Sequence, residues 1–294
     1  MLFFAALLVD GLLASTVYAL VALAFVVVYK ASGAVNFALG ELAMLGARLV
    51  ATGIHAAGLG LASAIGAASA GMVVGALAFN RLVLRHMVGR PLISLIMVTL
   101  GLGSWIRGAT SLVFGGIPGA MPLPIPSEPL DVYGVLIPAG RLVAASIAIT
   151  CITVVAAFFR FSRTGLALRA ISDDQQVAMA MGIDVHGHVA LTWAMVGVIS
   201  VFTGVLWTFT VGGGLGVVVI GLKVFPILVV GGLDSVPGIM VGAVVIGVLE
   251  SLSAGYLDPI LGAGFSSIAP YALLLVVLFV RPHGLFGRPR IVRV

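Results

Sequence analysis

The chain has 294 residues, of which 61% are hydrophobic and only 9% are charged, and its net charge is +5. This composition excludes a soluble globular domain, in which about half of the residues are apolar and about a quarter are charged, and intrinsic disorder, which requires low hydrophobicity. The single cysteine excludes a disulfide-stapled secreted protein. The length allows about eight to ten bilayer crossings of about 20 residues each, so the sequence predicts an all-α, polytopic membrane protein.

Nine apolar runs, bounded by charged residues or by glycine and proline, are predicted to be transmembrane helices. They lie near residues 5–29, 34–54, 59–80, 92–113, 141–160, 189–211, 217–231, 238–254 and 266–281. If the runs alternate in direction, most basic residues fall on one side of the membrane: Lys30, Arg81, Arg85, Arg90, Arg160, Arg163, Arg169, Arg281, Arg288, Arg290 and Arg293. The positive-inside rule makes that side cytoplasmic, with the N-terminus outside and the C-terminus inside. The spread of these charges also argues against nucleic-acid binding.

Five charged residues interrupt the apolar runs, and each costs about 2.5–3.5 kcal/mol if it faces lipid at a helix centre. They are Glu41, Arg48, Arg107, Lys223 and Glu250. Glu41 and Arg48 share a helix face but lie about 10 Å apart along its axis, so each is expected to find a partner elsewhere. Lys223 is the predicted partner of Glu41 or of Glu250. An internal ion pair that fixes helix register is at least as plausible here as a role in a water-filled path.

Two of the runs are interrupted by small residues. Asn36 and Gly40 lie just before Glu41, and five glycines in residues 212–221 lie just before Lys223. Broken hydrophobic segments at membrane depth are where transport proteins expose backbone to a substrate. Both interruptions are therefore candidates for the lining of such a path.

The longest predicted outer segment covers residues 114–140 and is rich in proline. Its prolines are Pro118, Pro122, Pro124, Pro126, Pro129 and Pro138. Proline fixes φ and removes a backbone donor. The segment is therefore predicted to form a stiff, extended surface.

The predicted inner segment, residues 160–188, contains the signals of a short capped helix. Ser172 and Gln175 have capping-box spacing, and Asp173 and Asp174 fall in the first turn. An apolar stripe follows, and Gly182 supplies the stop. We expect a surface helix of about nine residues, although these signals alone favour a docking helix and an ordinary connector equally.

No catalytic or metal-binding motif occurs in the sequence. There is no G-x-x-x-x-G-K-[ST] loop, no G-x-G-x-x-G after a predicted strand and no H-E-x-x-H. His186 and His188 are interpreted as a solvated pair rather than as metal ligands. The sequence therefore predicts no enzyme, no metal site and no cofactor of its own.

Several motifs occur in a fixed order along the chain. They are V-Y-A-L at 17–20, V-N-F-A-L-G-E-L at 35–42, G-L-A-L-R-A at 165–170 leading into M-G-I at 181–183, G-L-K-V-F at 221–225 with G-G-L-D-S-V-P-G at 231–238, and R-P-H-G-L-F-G at 281–287. In this order they resemble the permease subunits of branched-chain amino-acid ABC importers, of the LivH type. Three positions depart from the family pattern: Gln176 and Val177 replace Glu and Ala of its E-A-A-x-x-x-G motif, and Asp234 stands where Gly is usual.

The resemblance implies a single transmembrane permease domain, residues 1–294, in the cell inner membrane. Such permeases pair with a second, related permease and with two cytoplasmic ATPase subunits, which use the ATP. Substrate comes from a periplasmic or lipid-anchored binding protein. The partners implied are these subunits and membrane lipid, and segment 160–188 becomes the cytoplasmic coupling loop.

The resemblance also assigns roles to residues. The substrate path or gate is assigned to Asn36, Gly40, Glu41, Arg48, Lys223 and Glu250. Coupling to the ATPase is assigned to Arg169, Gln176, Val177, Ala178, Met181 and Gly182. Docking of the binding protein is assigned to Glu128 and Asp131 in the outer segment.

The expected function is translocation of leucine, isoleucine, valine or related small amino acids. A urea or short-chain amide permease of the same architecture remains an alternative, because the binding protein makes much of the substrate choice in this family. A self-contained, ion-coupled secondary transporter is a second alternative, in which Glu41, Lys223 and Glu250 would form an ion relay. The capped helix on the cytoplasmic side argues against that second alternative.

Overall fold

A computed structural model describes most of the chain. The described residues are 1–33, 35–87, 90–117, 119–121, 128–132, 134–173, 175–212, 215–233, 235–262, 264–281 and 284–286. Some residues named above lie outside the described part: Pro118, Pro122, Pro124, Pro126, Asp174, Gly213, Gly214, Asp234, Pro282, His283, Gly287, Arg288, Arg290 and Arg293.

Helices dominate the described residues. The α-helices are α1 (Leu2–Ser32), α2 (Leu39–His55), α3 (Leu61–Leu82), α4 (Leu92–Phe114), α5 (Ala139–Phe161), α6 (Arg163–Asp173), α7 (Gln175–Ala180), α8 (Val185–Val211), α9 (Val219–Gly231), α10 (Val236–Leu252), α11 (Asp258–Leu261) and α12 (Phe265–Val280). Short 3-10 helices cover Leu84–His86 and Leu215–Val218, and a π-helix covers Ser253–Leu257. The nine predicted spans correspond to α1–α5, α8–α10 and α12.

Six helical segments in the described part of the chain are long and apolar enough to cross a membrane. They are Leu2–Ser32, Leu61–His86, Ile93–Phe114, Ala139–Phe161, Val185–Val211 and Val236–Leu261. Gly216–Gly231 and Phe265–Val280 are apolar but shorter, and α2 has 17 residues. The polytopic helical class is confirmed, whereas eight to ten crossings and the sides of the termini stay predictions.

The chain divides into two compact units. Unit 1 comprises Met1–Val26, Pro124–Ile149 and Leu222–Val294, and unit 2 comprises Val27–Leu123 and Thr150–Gly221. Each unit is assembled from separated stretches of sequence, so its core depends on long-range contacts. The assignment of the whole chain to one domain stays a prediction.

In unit 2, α2 packs against α8 through glycine. A Cβ atom on Gly46 of α2 would lie 2.8 Å from the Cα atom of Val201 of α8. Gly204 of α8 lies directly against the carbonyl group of Ala43. Small residues let helix backbones approach this closely in membrane proteins, and they fix the position of α2.

Gly46→Ala is expected to destabilise the protein, because the added methyl group meets backbone that cannot move aside. Overpacking of this kind costs about 1–3 kcal/mol. Thermal unfolding in detergent, followed by size-exclusion chromatography, measures the effect as a lower midpoint. Gly66→Ala in α3 is the matched control, because a Cβ atom on Gly66 would meet nothing within 4 Å. Equal midpoints for the two variants would contradict the close packing of α2 on α8.

Unit 1 has comparable contacts among α1, α9 and α10. A Cβ atom on Gly242 of α10 would lie 3.0 Å from the backbone nitrogen of Gly231 at the end of α9. The hydroxyl of Ser251 donates a hydrogen bond of 2.8 Å to the carbonyl oxygen of Leu7 in α1. These contacts bring together the three helices that hold the polar residues of this unit.

The outer segment contains a β-hairpin that the sequence did not predict. Strands β1 (Leu130–Val132) and β2 (Val135–Ile137) pair antiparallel. The Oδ1 atom of Asp131 accepts a hydrogen bond of 2.8 Å from the backbone nitrogen of Gly134, which has a φ of +82°. The left-handed φ of Gly134 favours glycine at this position. The stiff, extended surface expected from the prolines stays a prediction, because Pro118, Pro122, Pro124 and Pro126 lie outside the described residues.

Candidate functional site

The polar centre of unit 2 is an ion pair between α2 and α4. The guanidinium of Arg107 donates a hydrogen bond to Glu41 Oε1. The Glu41 side chain is 8% exposed and that of Arg107 is 53% exposed, so the carboxylate is enclosed while the guanidinium opens outward. Glu41 also lies in the first turn of α2, where the helix dipole favours a negative charge. Counter-charge and dipole together compensate a carboxylate that would be costly to bury alone.

Helix α4 leaves space for this carboxylate. A Cβ atom on Gly103 would lie 3.2 Å from the carboxyl group of Glu41. Gly103 precedes Arg107 by four residues, and this spacing places both on one face of the helix. Sequence reasoning missed Gly103, because its spacing from Arg107 has meaning only when the partner of Arg107 is known.

The loop between α1 and α2 holds Asn36 in a buried position. Its Oδ1 atom accepts a hydrogen bond of 3.0 Å from the backbone nitrogen of Ala38. The backbone nitrogen of Phe37 donates a bond of 3.3 Å to Thr99 Oγ1 in α4. Among the described residues, the buried Nδ2 of Asn36 has no hydrogen-bond partner. The oxygen of Asn36 therefore shapes the entry to α2, while its nitrogen stays unused.

The two predicted interruptions meet in unit 2. A Cβ atom on Gly221 would lie 2.9 Å from the backbone nitrogen of Gly40. Gly40 also lies directly against the carbonyl oxygen of Val218, the last residue of a 3-10 helix. The backbone that starts α2 is therefore in contact with the backbone that starts α9.

The spacing of Glu41 and Arg48 predicted that the two do not pair with each other, and this is what the structure has. Its NH1 group donates a hydrogen bond of 2.9 Å to the carbonyl oxygen of Ile117, just beyond the end of α4. Arg48 therefore ties α2 to the segment after α4, and the two charged residues of α2 have different partners.

Unit 1 contains a second polar centre, formed by α1, α9 and α10. Lys223 Nζ pairs with Glu250 Oε1, and the Tyr18 hydroxyl donates a hydrogen bond of 2.6 Å to Glu250 Oε2. Lys223 Nζ also lies 3.5 Å from the Tyr18 oxygen. Of the two predicted partners of Lys223, Glu250 is the observed one. Sequence reasoning missed Tyr18, because a tyrosine in an apolar run does not reveal its partner.

The six residues predicted to line a path are divided between the two units. Asn36, Gly40, Glu41 and Arg48 belong to unit 2, and Lys223 and Glu250 belong to unit 1. Each centre pairs a carboxylate with a cation of another helix. A role of these residues in a path stays a prediction.

The predicted cytoplasmic segment is helical over Arg163–Asp173 and Gln175–Ala180, on either side of Asp174, which lies outside the described residues. Ser172 lies inside α6, so it is not an N-cap and the predicted capping box is wrong. The Gln175 side chain instead donates a hydrogen bond of 3.2 Å to the carbonyl oxygen of Ala31. The last carbonyl groups of a helix have no partner within it. The carbonyl oxygen of Ala31, at the end of α1, accepts the hydrogen bond from the Gln175 amide.

The predicted stop after α7 is confirmed. Gly182 has a φ of +82°. Its backbone nitrogen donates to Met179 O, and the nitrogen of Ile183 donates to Ala178 O, both at 3.0 Å. These two bonds and the left-handed glycine form a Schellman motif, which satisfies the last carbonyl groups of the helix.

The residues predicted to contact an ATPase differ in exposure. Val177 is 58% exposed and Met181 is 78% exposed, and Gln176 and Gly182 are exposed as well. Ala178 is buried in a cluster of apolar residues. Arg169, the last of the residues predicted to contact an ATPase, donates a hydrogen bond of 2.6 Å to the carbonyl oxygen of Phe159. Val177 of α7 and Met181 just after the helix are therefore exposed apolar side chains, and Ala178 anchors α7 in the apolar cluster.

The two acidic residues predicted for docking on the outer side are both exposed. Glu128 lies just before β1, and Asp131 lies within it. Because Asp131 also caps the hairpin turn, its substitution affects the local backbone as well as the surface charge.

Comparison with known proteins gives a family. Residues 7–279 match the family described as "Branched-chain amino acid transport system / permease component". The chain belongs to this family. The resemblance seen in the motifs is thereby confirmed over most of the length of the permease.

Named relatives align with the permease over almost their full length. This chain is 29% identical, over an alignment of 315 positions, to the "High-affinity branched-chain amino acid transport system permease protein LivH" of Salmonella typhimurium. The alignment covers 100% of this chain and 98% of the relative. The LivH protein of Escherichia coli is 28% identical, with the same coverage. The BraD protein of Pseudomonas aeruginosa is 28% identical over 98% of this chain and 97% of its own. A solved structure of PsaBC from Streptococcus pneumoniae in complex with Fab covers 94% of this chain and 92% of its own at 16% identity, with a TM-score of 0.46.

In this permease, Arg107→Leu is expected to lower stability by about 3–5 kcal/mol, because it leaves the enclosed Glu41 carboxylate without its counter-charge. The double variant with Glu41→Gln is expected to recover most of the loss, since neither charge then remains. Unfolding midpoints of the single and double variants in detergent measure the coupling.

The control is Arg141→Leu. The Asp10 side chain that pairs with Arg141 is 35% exposed, whereas that of Glu41 is 8% exposed, so loss of Arg141 leaves a carboxylate that water still reaches and is expected to cost only about 0–1 kcal/mol. Equal losses for Arg107→Leu and Arg141→Leu would show that the pair in unit 2 is not a buried interaction.

Proposed function

We propose that the chain is the membrane permease subunit of an ATP-binding-cassette importer that moves leucine, isoleucine, valine or related small amino acids inward across the cell inner membrane. The supporting observation is the family match over residues 7–279, together with relatives of nearly equal length that are named as branched-chain amino acid permeases. No comparable observation favours a urea or amide substrate or a self-contained secondary transporter. We assign no catalytic activity and no cofactor to this chain.

The proposed partners are a second permease, two cytoplasmic ATPase subunits and a periplasmic or lipid-anchored binding protein. The exposed apolar side chains of Val177 in α7 and of Met181 just after it support an ATPase contact, because such side chains favour coverage by a partner. The basic segments between the spans support the proposed orientation, with α6 and α7 on the cytoplasmic side. The exposed Glu128 and Asp131 are proposed for binding-protein docking, and unaltered uptake after charge reversal at both would contradict that role.

The proposed mechanism is a population shift driven by the ATPases, which alternates the helix bundle between inward-open and outward-open states. Unit 2 contains a direct connection for this shift. Gln175 of α7 donates to Ala31 O near the end of α1, and the next segment carries Asn36 and the start of α2 with Glu41. A displacement of α7 therefore acts on the interrupted segment through one hydrogen bond and a short loop.

The experiment that tests the proposal combines co-purification with uptake. The tagged chain is extracted in mild detergent from its native host, and its partners are identified by mass spectrometry. Two P-loop ATPases and a second permease are expected. Deletion of the chain is expected to abolish high-affinity uptake of labelled leucine. A chain that purifies alone even after crosslinking, with leucine uptake unchanged by the deletion, would contradict the proposal.

Val177→Arg is expected to uncouple the importer, because a charge replaces an apolar contact at the proposed ATPase groove. We expect leucine uptake to fall about tenfold, equivalent to about 1.4 kcal/mol of coupling free energy. Ser172→Arg is the matched control, since Ser172 is exposed on α6 and lies outside the proposed contact. Uptake that is equal in both variants would place the ATPase contact elsewhere.

Lys223→Met tests the proposed role of the unit 1 centre in the path. The change removes the cation that pairs with Glu250, so uptake is expected to fall about tenfold or more. Tyr18→Phe keeps the ion pair and removes the hydroxyl that donates to Glu250 and accepts from Lys223, so its effect on uptake is expected to be smaller. Normal uptake by Lys223→Met, in a protein that still folds, would assign the centre to structure alone.

A further inference from the structure

One side of α3 combines exposed aliphatic side chains with exposed cations. Val74, Leu77 and Arg81 follow one another at spacings of three and four residues, which places them on one side of the helix. Val74 is 65% exposed and Leu77 is 45% exposed, and Arg81 is exposed as well. Arg85 follows four residues later, in the short 3-10 helix after α3, and is also exposed. These four residues are called the α3 face below.

The length of the helical segment places the two arginines at the depth of lipid headgroups. The apolar segment Leu61–His86 has 26 residues, which corresponds to about 39 Å at about 1.5 Å per residue. The hydrocarbon core of a bilayer is about 30 Å thick, and the bilayer with its headgroups measures about 40–45 Å. The segment therefore extends beyond the hydrocarbon core, and Arg81 and Arg85 belong to its last six residues. Val74 and Leu77 lie deeper, at the level of the acyl chains.

The connection after α3 is folded back and keeps Arg85 close to the end of the helix. Leu84 is 5% exposed and anchors the connection. The backbone nitrogen of His86 donates a hydrogen bond of 3.1 Å to Val83 O, and that of Met87 donates one of 2.9 Å to Leu84 O. This stretch is therefore a compact turn at the end of a span, and it does not extend away from the membrane.

Neither arginine of the α3 face is neutralised within the described part of the chain. The ion pairs there join other residues, and no side-chain hydrogen bond of Arg81 or Arg85 occurs there. Residues 42–127, which include α3, α4 and their connection, contain no Asp or Glu. Arginine stays charged at physiological pH. The α3 face therefore presents two cations that call for an anionic partner.

An anionic phospholipid matches both parts of the α3 face. Its phosphodiester accepts charge-assisted hydrogen bonds from guanidinium groups, and its acyl chains lie at the depth of Val74 and Leu77. Basic residues beside a membrane span attract anionic lipid. A second copy of this chain is less suitable, because a symmetric contact through the same face brings each arginine close to its equivalent.

We propose that the α3 face binds an anionic phospholipid, with the headgroup phosphate held by Arg81 and Arg85 and the acyl chains along Val74 and Leu77. The lipid supplies the counter-charge that the described part of the chain does not. This site lies outside both polar centres. It follows from the membrane class of the chain and does not depend on the proposed transport role.

The test titrates the tagged full chain, extracted in mild detergent with the subunits that accompany it, and detects bound molecules by native mass spectrometry. Three probes are compared: palmitoyl-oleoyl phosphatidylglycerol, phosphatidylcholine with the same acyl chains, and glycerophosphoglycerol, which is the anionic headgroup without acyl chains. We expect phosphatidylglycerol to bind at least about tenfold more tightly than either of the others. Equal affinity for the two lipids would overturn the proposal. Equally tight binding of glycerophosphoglycerol would identify a soluble phosphodiester as the ligand and would also overturn it.

Two double variants examine the cations. Arg81→Gln with Arg85→Gln removes both charges, so affinity for phosphatidylglycerol is expected to fall at least about tenfold, equivalent to about 1.4 kcal/mol, with affinity for phosphatidylcholine unchanged. Arg81→Lys with Arg85→Lys keeps both charges and is expected to retain the affinity to within about threefold. Unchanged affinity for phosphatidylglycerol in the double Gln variant would overturn the assignment. If that variant fails to fold, the single variant Arg85→Gln decides.

Arg141→Gln is the matched control for the loss of one positive charge. Arg141 belongs to unit 1 and pairs with Asp10. Its substitution is expected to leave the affinity for phosphatidylglycerol unchanged, whereas Arg85→Gln is expected to lower it about threefold to tenfold. An equal loss in both variants would show that net charge attracts the lipid, and it would overturn the site on α3.

The same variants separate a lipid from a protein partner on the α3 face. Loss of phosphatidylglycerol binding in the double Gln variant, with all accompanying subunits retained, would support the lipid site. Loss of a subunit from the double Gln variant, with phosphatidylglycerol binding unchanged, would identify the face as a protein interface and overturn the proposal.

Discussion

The cost of charge in an apolar environment is the constraint on which this structure depends. Charged residues that would each be costly in an apolar environment pair with one another: Glu41 with Arg107 in unit 2, and Lys223 with Glu250 in unit 1. Each pair joins different helices, so the same interaction that neutralises charge also selects which helices become neighbours. Arg48 follows the same rule with a backbone carbonyl as its partner. The apolar helices form the low-polarity surroundings, and these few polar contacts fix the positions of the helices relative to one another.

Glycine residues let the helix backbones approach closely enough for those polar contacts to form. Close approach at Gly46 and Gly204 holds α2 against α8, and the space at Gly103 admits the Glu41 carboxylate. At Gly40 and Gly221 the backbones of two broken segments touch. The proposed population shift requires a change of shape during which the charges stay compensated. Contacts between small residues meet that need, because they leave few interlocked side chains to separate.

The sequence predicted what is local and missed what depends on contact. Long apolar runs predicted nine helices correctly, because hydropathy and length act within one segment. The helix end at Gly182 was also predicted correctly, because it depends on the left-handed conformation of a single glycine. The partner of Lys223 remained open between two residues, and Tyr18 and Gly103 were missed, since each acquires meaning only from another helix. The capping box at Ser172 was wrong because Ser172 lies inside α6; the carbonyl on α1 that accepts from the Gln175 amide is a partner that no local pattern reveals.

The separation of the paired charges along the chain has a consequence for biogenesis. Lys223 and Glu250 are 27 residues apart, on consecutive helices, so the two can leave the insertion machinery as one hairpin with its charges already neutralised. Glu41 and Arg107 are 66 residues apart, and α3 is made between them. The Glu41 carboxylate of α2 therefore has no counter-charge until α4 has been synthesised. The ion pair of unit 2 thus depends on a contact across an intervening helix, whereas that of unit 1 is complete once two consecutive helices, α9 and α10, have been made.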